Sequence, residues 1–179
     1  MVKSLTVYIL GNYRPGLADG LAEFNFQNVK ALKESIDFHF VEFDHTEDTG
    51  VYHTSEVDQI RIHRFGSKGL SALKISADFK KWLSNLSLKN SVFHLNHIYN
   101  LNNYLVARLL NHYRIPYLIT PHDSYVYCKE FRSKRPLLKR IYRDFFVHFI
   151  DKYVLDNASY IHALTNQCIP CLRLLTSSP

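Results

Sequence analysis

Residues 91–124 read SVFHLNHIYNLNNYLVARLLNHYRIPYLITPHDS, and the order of patterns inside this stretch decides the fold. Ser91–His97 alternates in the manner of a strand. Leu101–Tyr113 places Leu101, Leu105, Leu109 and Leu110 in helical phase. Ile115–Thr120 is a second β-forming run, stopped by Pro121, because proline confines the residue before it to extended conformations. Strand, helix and strand in so short a span predict two parallel strands joined by a crossover helix.

The same alternation extends outward. Upstream, Leu5–Leu10 (LTVYIL) predicts a buried first strand, followed by a loop with Gly11, Pro15, Gly16 and Gly20. Leu21–Glu34 predicts a helix, Asp37–Phe43 and Ile60–Phe65 strands, Thr46–Ser55 a polar loop, and Leu70–Leu86 a helix. Downstream, Lys139–Leu155 predicts one long amphipathic helix, Ser159–Leu164 a last strand, and Asn166 onward a short helix. The expected fold class is α/β: a Rossmann-like, mainly parallel sheet with helices on both faces. At 179 residues the chain is expected to form one domain.

Composition narrows the classes of function. A chain 46% hydrophobic and 21% charged is an ordinary globular sequence, not a disordered or coiled-coil one. The three cysteines, Cys128, Cys168 and Cys171, are too few and too odd for a secreted disulfide framework, so a reducing cytoplasm is expected. Cys168 and Cys171 have a redox spacing but stand near the end of the chain, not before an early helix. No apolar run reaches the length of a membrane span or of a signal-peptide core.

In parallel sheets ligands bind beyond the carboxyl ends of the strands. Three loops therefore carry the candidate chemistry: Asn12–Gly20, Asn96–Asn100 and Pro121–Tyr127. Glycines in the first, Gly16 and Gly20, allow close approach of backbone to a phosphate, and the next helix would aim its N–H groups there. His122 follows a strand end, where an imidazole can bond a hydroxyl or move a proton. Asn96 and His97 stand at the end of theirs. Alternation assigns His94 and Asn96 to one face and His97 to the other, too divergent for a metal site.

The runs SVFHLNHIYN and IPYLITPHDS, with Leu155–Thr165 (LDNASYIHALT), resemble the family 4 glycosyltransferases. Those enzymes carry a "VHLHG…N" strand and loop, an "IPYVVSPHG" strand and loop, and an "ADAIHATS" strand. Order and spacing agree from Thr6 to Thr165. The resemblance implies the GT-B fold, two Rossmann-like domains facing across a cleft. Residues 1–179 then correspond to the N-terminal, acceptor-side domain, and the C-terminal donor-binding domain lies outside this chain.

It further implies retaining transfer of a sugar from a nucleotide-sugar to a hydroxyl of a soluble or lipid-linked acceptor, in polysaccharide or glycolipid assembly. No metal and no cofactor are implied, the nucleotide-sugar being a co-substrate. His122 matches the family's "PHG" histidine, which contacts the transferred sugar, and is the implied catalytic residue. Gly16, Asp19, Gly20, Asn96, His97, Asp123 and Ser124 are the expected substrate-binding residues. Two positions depart from the pattern: Asp19 and Asp123 replace glycines, and a carboxylate at Asp19 would repel a diphosphate.

The charge is uneven. Residues 129–143 hold seven basic residues against Glu130, so the whole net charge of +6 resides there. Phe131, Leu137, Ile141, Tyr142 and Phe145 interleave with the cations. This pattern predicts that Lys134, Arg135, Lys139, Arg140 and Arg143 face an anionic membrane surface or a phosphorylated acceptor. Nucleic acid is not expected, since no recognition motif accompanies the charge. A cytoplasmic protein, peripheral on the inner face of the plasma membrane, fits these features. Two alternatives stand beside the glycosyltransferase half: an acceptor-binding subunit whose donor-binding partner is a separate chain, and a non-catalytic membrane-peripheral binding module.

Overall fold

A computed structural model describes residues 5–13, 20–48, 50–68, 75–86, 90–122 and 136–176. The elements are β1 (Thr6–Leu10), α1 (Gly20–Leu32), β2 (Asp37–Asp44), β3 (Tyr52–Val57), β4 (Ile60–Gly66), α2 (Ala77–Ser84) and β5 (Ser91–Asn96). Then follow α3 (Leu101–His112), β6 (Tyr117–Thr120), α4 (Leu137–Phe145), a π-helical stretch (Phe146–Asp151), α5 (Lys152–Asp156), β7 (Tyr160–Ile161) and α6 (Cys168–Arg173). The strands form a seven-stranded sheet in the order β3-β4-β2-β1-β5-β6-β7. This is the mainly parallel, Rossmann-like α/β sheet that the sequence predicts. The chain divides within β5 into two compact units, residues 1–94 and 95–179.

In the first unit β1 pairs parallel to β2, with Thr6 opposite Asp37, and β2 parallel to β4, with His39 opposite Arg61. Alternation sends Val7, Ile9, Phe38, Phe40, Ile60 and Ile62 to one face, where they form a core with Val29 of α1. The opposite face is aromatic. Tyr8 stacks on Phe93 at 5.0 Å, and Trp82 of α2 meets Tyr8 edge-on at 5.5 Å. Phe79 of α2 meets Phe65 edge-on at 5.2 Å. Both faces are thus covered by helices, the requirement of a parallel sheet.

Two predicted boundaries change here. The expected loop at Thr46–Ser55 contains the start of β3, which runs antiparallel to β4 with Tyr52 opposite Phe65. All six residues of β3 are exposed, so it has no buried face to write an apolar period into the sequence. The predicted helix at Leu70–Leu86 is helical over Ala77–Ser84 among the described residues, 70–74 lying outside them, with the Ser76 hydroxyl accepting from the Phe79 N–H at 3.1 Å.

In the second unit β6 pairs parallel to β7, with Leu118 opposite Tyr160. Val106, Ala107 and Leu110 of α3 are buried, as are Tyr117 and Ile119 of β6. The single long helix expected at Lys139–Leu155 is interrupted by the π-helical stretch, whose wider turn brings Phe146, Val147 and Asp151 inward. The last strand shortens to two residues. Cys171 is disulfide-bonded and Cys168 keeps a thiol, 3.2 Å from the Thr165 hydroxyl.

Candidate functional site

The carboxyl end of β5 gathers the polar groups of the second unit. Asn96 is buried at the last position of the strand. His97 then takes φ +68° and Tyr99 φ +63°, left-handed conformations that cost non-glycine residues energy. This reversal undoes the expected alternation. Asn96 and His97 both reach His122: the Asn96 Oδ1 lies 3.4 Å from His122 Nε2, and the rings of His97 and His122 are 5.2 Å apart. An amide oxygen only accepts, so His122 carries a hydrogen on Nε2 in this contact.

Side chains hold the strained turn in place. The Asn103 amide donates to the carbonyls of Asn96 at 2.6 Å and of His97 at 2.9 Å. Asn100 caps α3, its Oδ1 accepting from the N–H groups of Asn102 and Asn103. The Tyr99 N–H donates to Asp151 Oδ1 at 2.9 Å, and its ring stacks on Phe146 at 4.7 Å. Burial pushes the Tyr99 phenol up to about 12, so it stays a neutral donor near pH 7.

The neighbouring strand ends join this group. The His97 N–H donates to the Thr120 carbonyl at 3.1 Å. The hydroxyl of Thr120, fully buried, is 3.2 Å from His162 Nδ1 at the end of β7. The imidazoles of His97, His122 and His162, which are not buried, can both donate to and accept from a ligand rich in hydroxyls, with the buried amides and hydroxyl behind them holding their places.

Of the residues expected from sequence, Asn96, His97 and His122 are brought together. Gly20 is the first residue of α1. Gly16, Asp19, Asp123, Ser124, Lys134 and Arg135 lie outside the described residues, as does the side chain of Lys139. Arg140 is exposed. Arg143 does not face outward as expected: it is 5% exposed, on the inner side of α4, within about a sixth of a turn of the buried Phe146 and Val147. Asn103, Tyr99, Asp151 and His162 were missed. The Asn100-Leu-Asn-Asn103 run before a helical pattern was the available signal for Asn103. Asp151, 52 positions from Tyr99, left no local signal.

No protein-family model matches the chain, and no curated protein matches it in sequence. Its fold, however, matches solved structures. One is the Escherichia coli protein described as trehalose-6-phosphate bound with UDP-2-fluoro glucose: TM-score 0.55, 12% identity, 94% of this chain and 42% of that one. An α,α-trehalose-phosphate synthase (UDP-forming) from Burkholderia vietnamiensis gives TM-score 0.59 at 12% identity, over 95% of this chain and 42% of that one. The corresponding synthase from Burkholderia multivorans gives TM-score 0.57 at 12% identity, over 95% and 41%. The chain is similar to these GT-B proteins in fold, and it spans about two fifths of their length.

Proposed function

We propose that this chain is the acceptor-side half of a glycosyltransferase that moves a sugar from a nucleotide-sugar to a hydroxyl acceptor, as in polysaccharide or glycolipid assembly. The observation that carries the reading is the convergence of His122, Asn96 and His97 at a strand-end edge of the sheet. Fold likeness to UDP-forming synthases over two fifths of their length supports it. In this reading His122, held by Asn96, bonds hydroxyls of the transferred sugar, and His97 extends the polar wall. The donor's nucleotide binds mainly to a second domain, supplied by a longer polypeptide or a separate chain. Protein groups stabilise the leaving diphosphate, with no metal or cofactor. Retention of configuration, as in family 4, belongs to the same proposal.

The test is ligand-observed NMR on the 179-residue chain with a panel of nucleotide-sugars and sugar acceptors. Sugar signals should saturate, and affinity should fall roughly tenfold in His122→Ala and Asn96→Ala, about one lost polar contact each. Transfer should appear only when a donor-binding domain is present. Turnover by the 179-residue chain alone would overturn the half-enzyme reading. Absence of any sugar contact, with an intact cellular mass of 21.0 kDa and no partner, would replace it with a non-catalytic module.

A further inference from the structure

α4 is amphipathic in the inverted sense. Leu137, Leu138, Ile141, Tyr142 and Phe145 are all more than half exposed, Leu138 reaching 81%, and Phe149 of the π-helical stretch continues the row. At ~100° per residue the α4 members fall within roughly 140° of the helix circumference, and Arg143 stands opposite them. Folding therefore takes one of the helix's cations, Arg143, inside and leaves its apolar arc outside. An apolar stripe of this kind is uncommon on a soluble surface and marks an interaction site.

Charge selects the occupant. The stripe lies at the end of the segment that holds the chain's whole net charge, residues 129–143. Arg140 is exposed beside it, α4 has no acidic residue in its first turn, and its one carboxylate, Asp144 in the last turn, is only partly exposed. A purely apolar partner surface would leave Arg140 at its rim unanswered, whereas an anionic bilayer meets both features at once. Aliphatic and phenyl groups enter the acyl boundary, a tyrosine sits at headgroup depth, and cations bond lipid phosphates. No described helix is long and apolar enough to cross a membrane, so the contact is in the plane.

We infer that the outer face of α4 docks on an anionic lipid surface by shallow insertion of Leu138, Ile141, Tyr142 and Phe145, with Arg140 at the headgroups and Arg143 taking no part. This goes beyond the sugar-transfer reading and stands on different residues.

The test is co-sedimentation of the 179-residue chain with vesicles of neutral lipid alone or with about 30% anionic lipid. Binding is expected to the anionic vesicles and to weaken as salt is raised. The exposed triple variant Leu138→Ser/Ile141→Ser/Phe145→Ser should bind roughly tenfold less, with its unfolding transition unchanged. Tyr142→Trp should be quenched by brominated lipid beyond the background of Trp82. Sedimentation that fails with anionic vesicles, or that survives the triple variant together with an unquenched Trp, overturns the inference. So does a concentration-dependent dimer that the triple variant abolishes, since a second copy would then cover the face. None of these outcomes depends on whether the protein binds sugar.

Discussion

His39 and His63 form a short relay across β2, β4 and β3. His39 Nε2 is 3.1 Å from the Asp37 carboxylate, and His39 Nδ1 is 3.0 Å from His63 Nε2. His63 Nδ1 is 2.8 Å from the Tyr52 hydroxyl. A carboxylate only accepts, so His39 donates from Nε2, His63 donates from Nε2 to His39 Nδ1, and Tyr52 donates to His63 Nδ1. One hydrogen on each imidazole satisfies the whole chain, and another on His63 would set two donors face to face. Burial foremost, then repulsion by His39 once it is protonated and by Arg61, hold the His63 pKa down to about 4 from 6.5. The unfolded chain therefore binds the proton first. Stability is complete above pH 6.5 and is lost as pH falls through about 4. Urea unfolding should show a loss on the order of 1–3 kcal/mol over that window. His63→Gln, which cannot titrate, should flatten the slope. Asn103 offers a second residue-scale prediction. Asn103→Ala strips donors from two carbonyls and should cost about 1–3 kcal/mol in thermal or urea unfolding.

Elements meet where a side chain has no room. Gly66 ends β4, and a Cβ there would lie 2.0 Å from the Asp48 carbonyl oxygen, a backbone atom that cannot swing aside. Gly66→Ala should destabilise the first unit by about 2–3 kcal/mol in urea unfolding, through overpacking and not through loss of glycine's flexibility. The interrupted helix shows the complementary case. Sequence periodicity predicts one helix through Lys139–Leu155 because its apolar residues recur at helical spacing on two faces. The wide turn at Phe146–Asp151 chooses between those faces, and the choice buries Arg143 while exposing Leu138 and Phe145. Burying that guanidinium beside Tyr99 and Asp151 is decided by residues far away in the sequence.

At the scale of the molecule, the chain matches the sheet of its structural neighbours over 94% of its own length but 42% of theirs. A sugar-transfer site built on two such halves divides its work: one edge grips hydroxyls, and the other supplies charge for a diphosphate. In the proposed reading the polar edge in the second unit is of the first kind, with imidazoles and amides and no converging arginines among its named contacts. Calorimetry of the 179-residue chain should accordingly give no heat from a free nucleoside diphosphate. Measurable heat from the nucleotide alone would place the diphosphate site on this half and reverse the proposed division.

The sequence by itself determined the α/β class and the position of six of the seven strands, because buried parallel strands are apolar runs bounded by proline, glycine and helical periods. It also marked Asn96, His97 and His122, because strand ends are legible and ligands gather beyond them. Tertiary structure alone decided that Asn96 and His97 meet the same ring, since a left-handed φ at His97 follows from the staple at Asn103 and from no local period. It alone decided that Arg143 turns inward and Leu138 outward. A helix sequence with apolar groups on two sides states that both can be buried, and only the packing partners determine which side is.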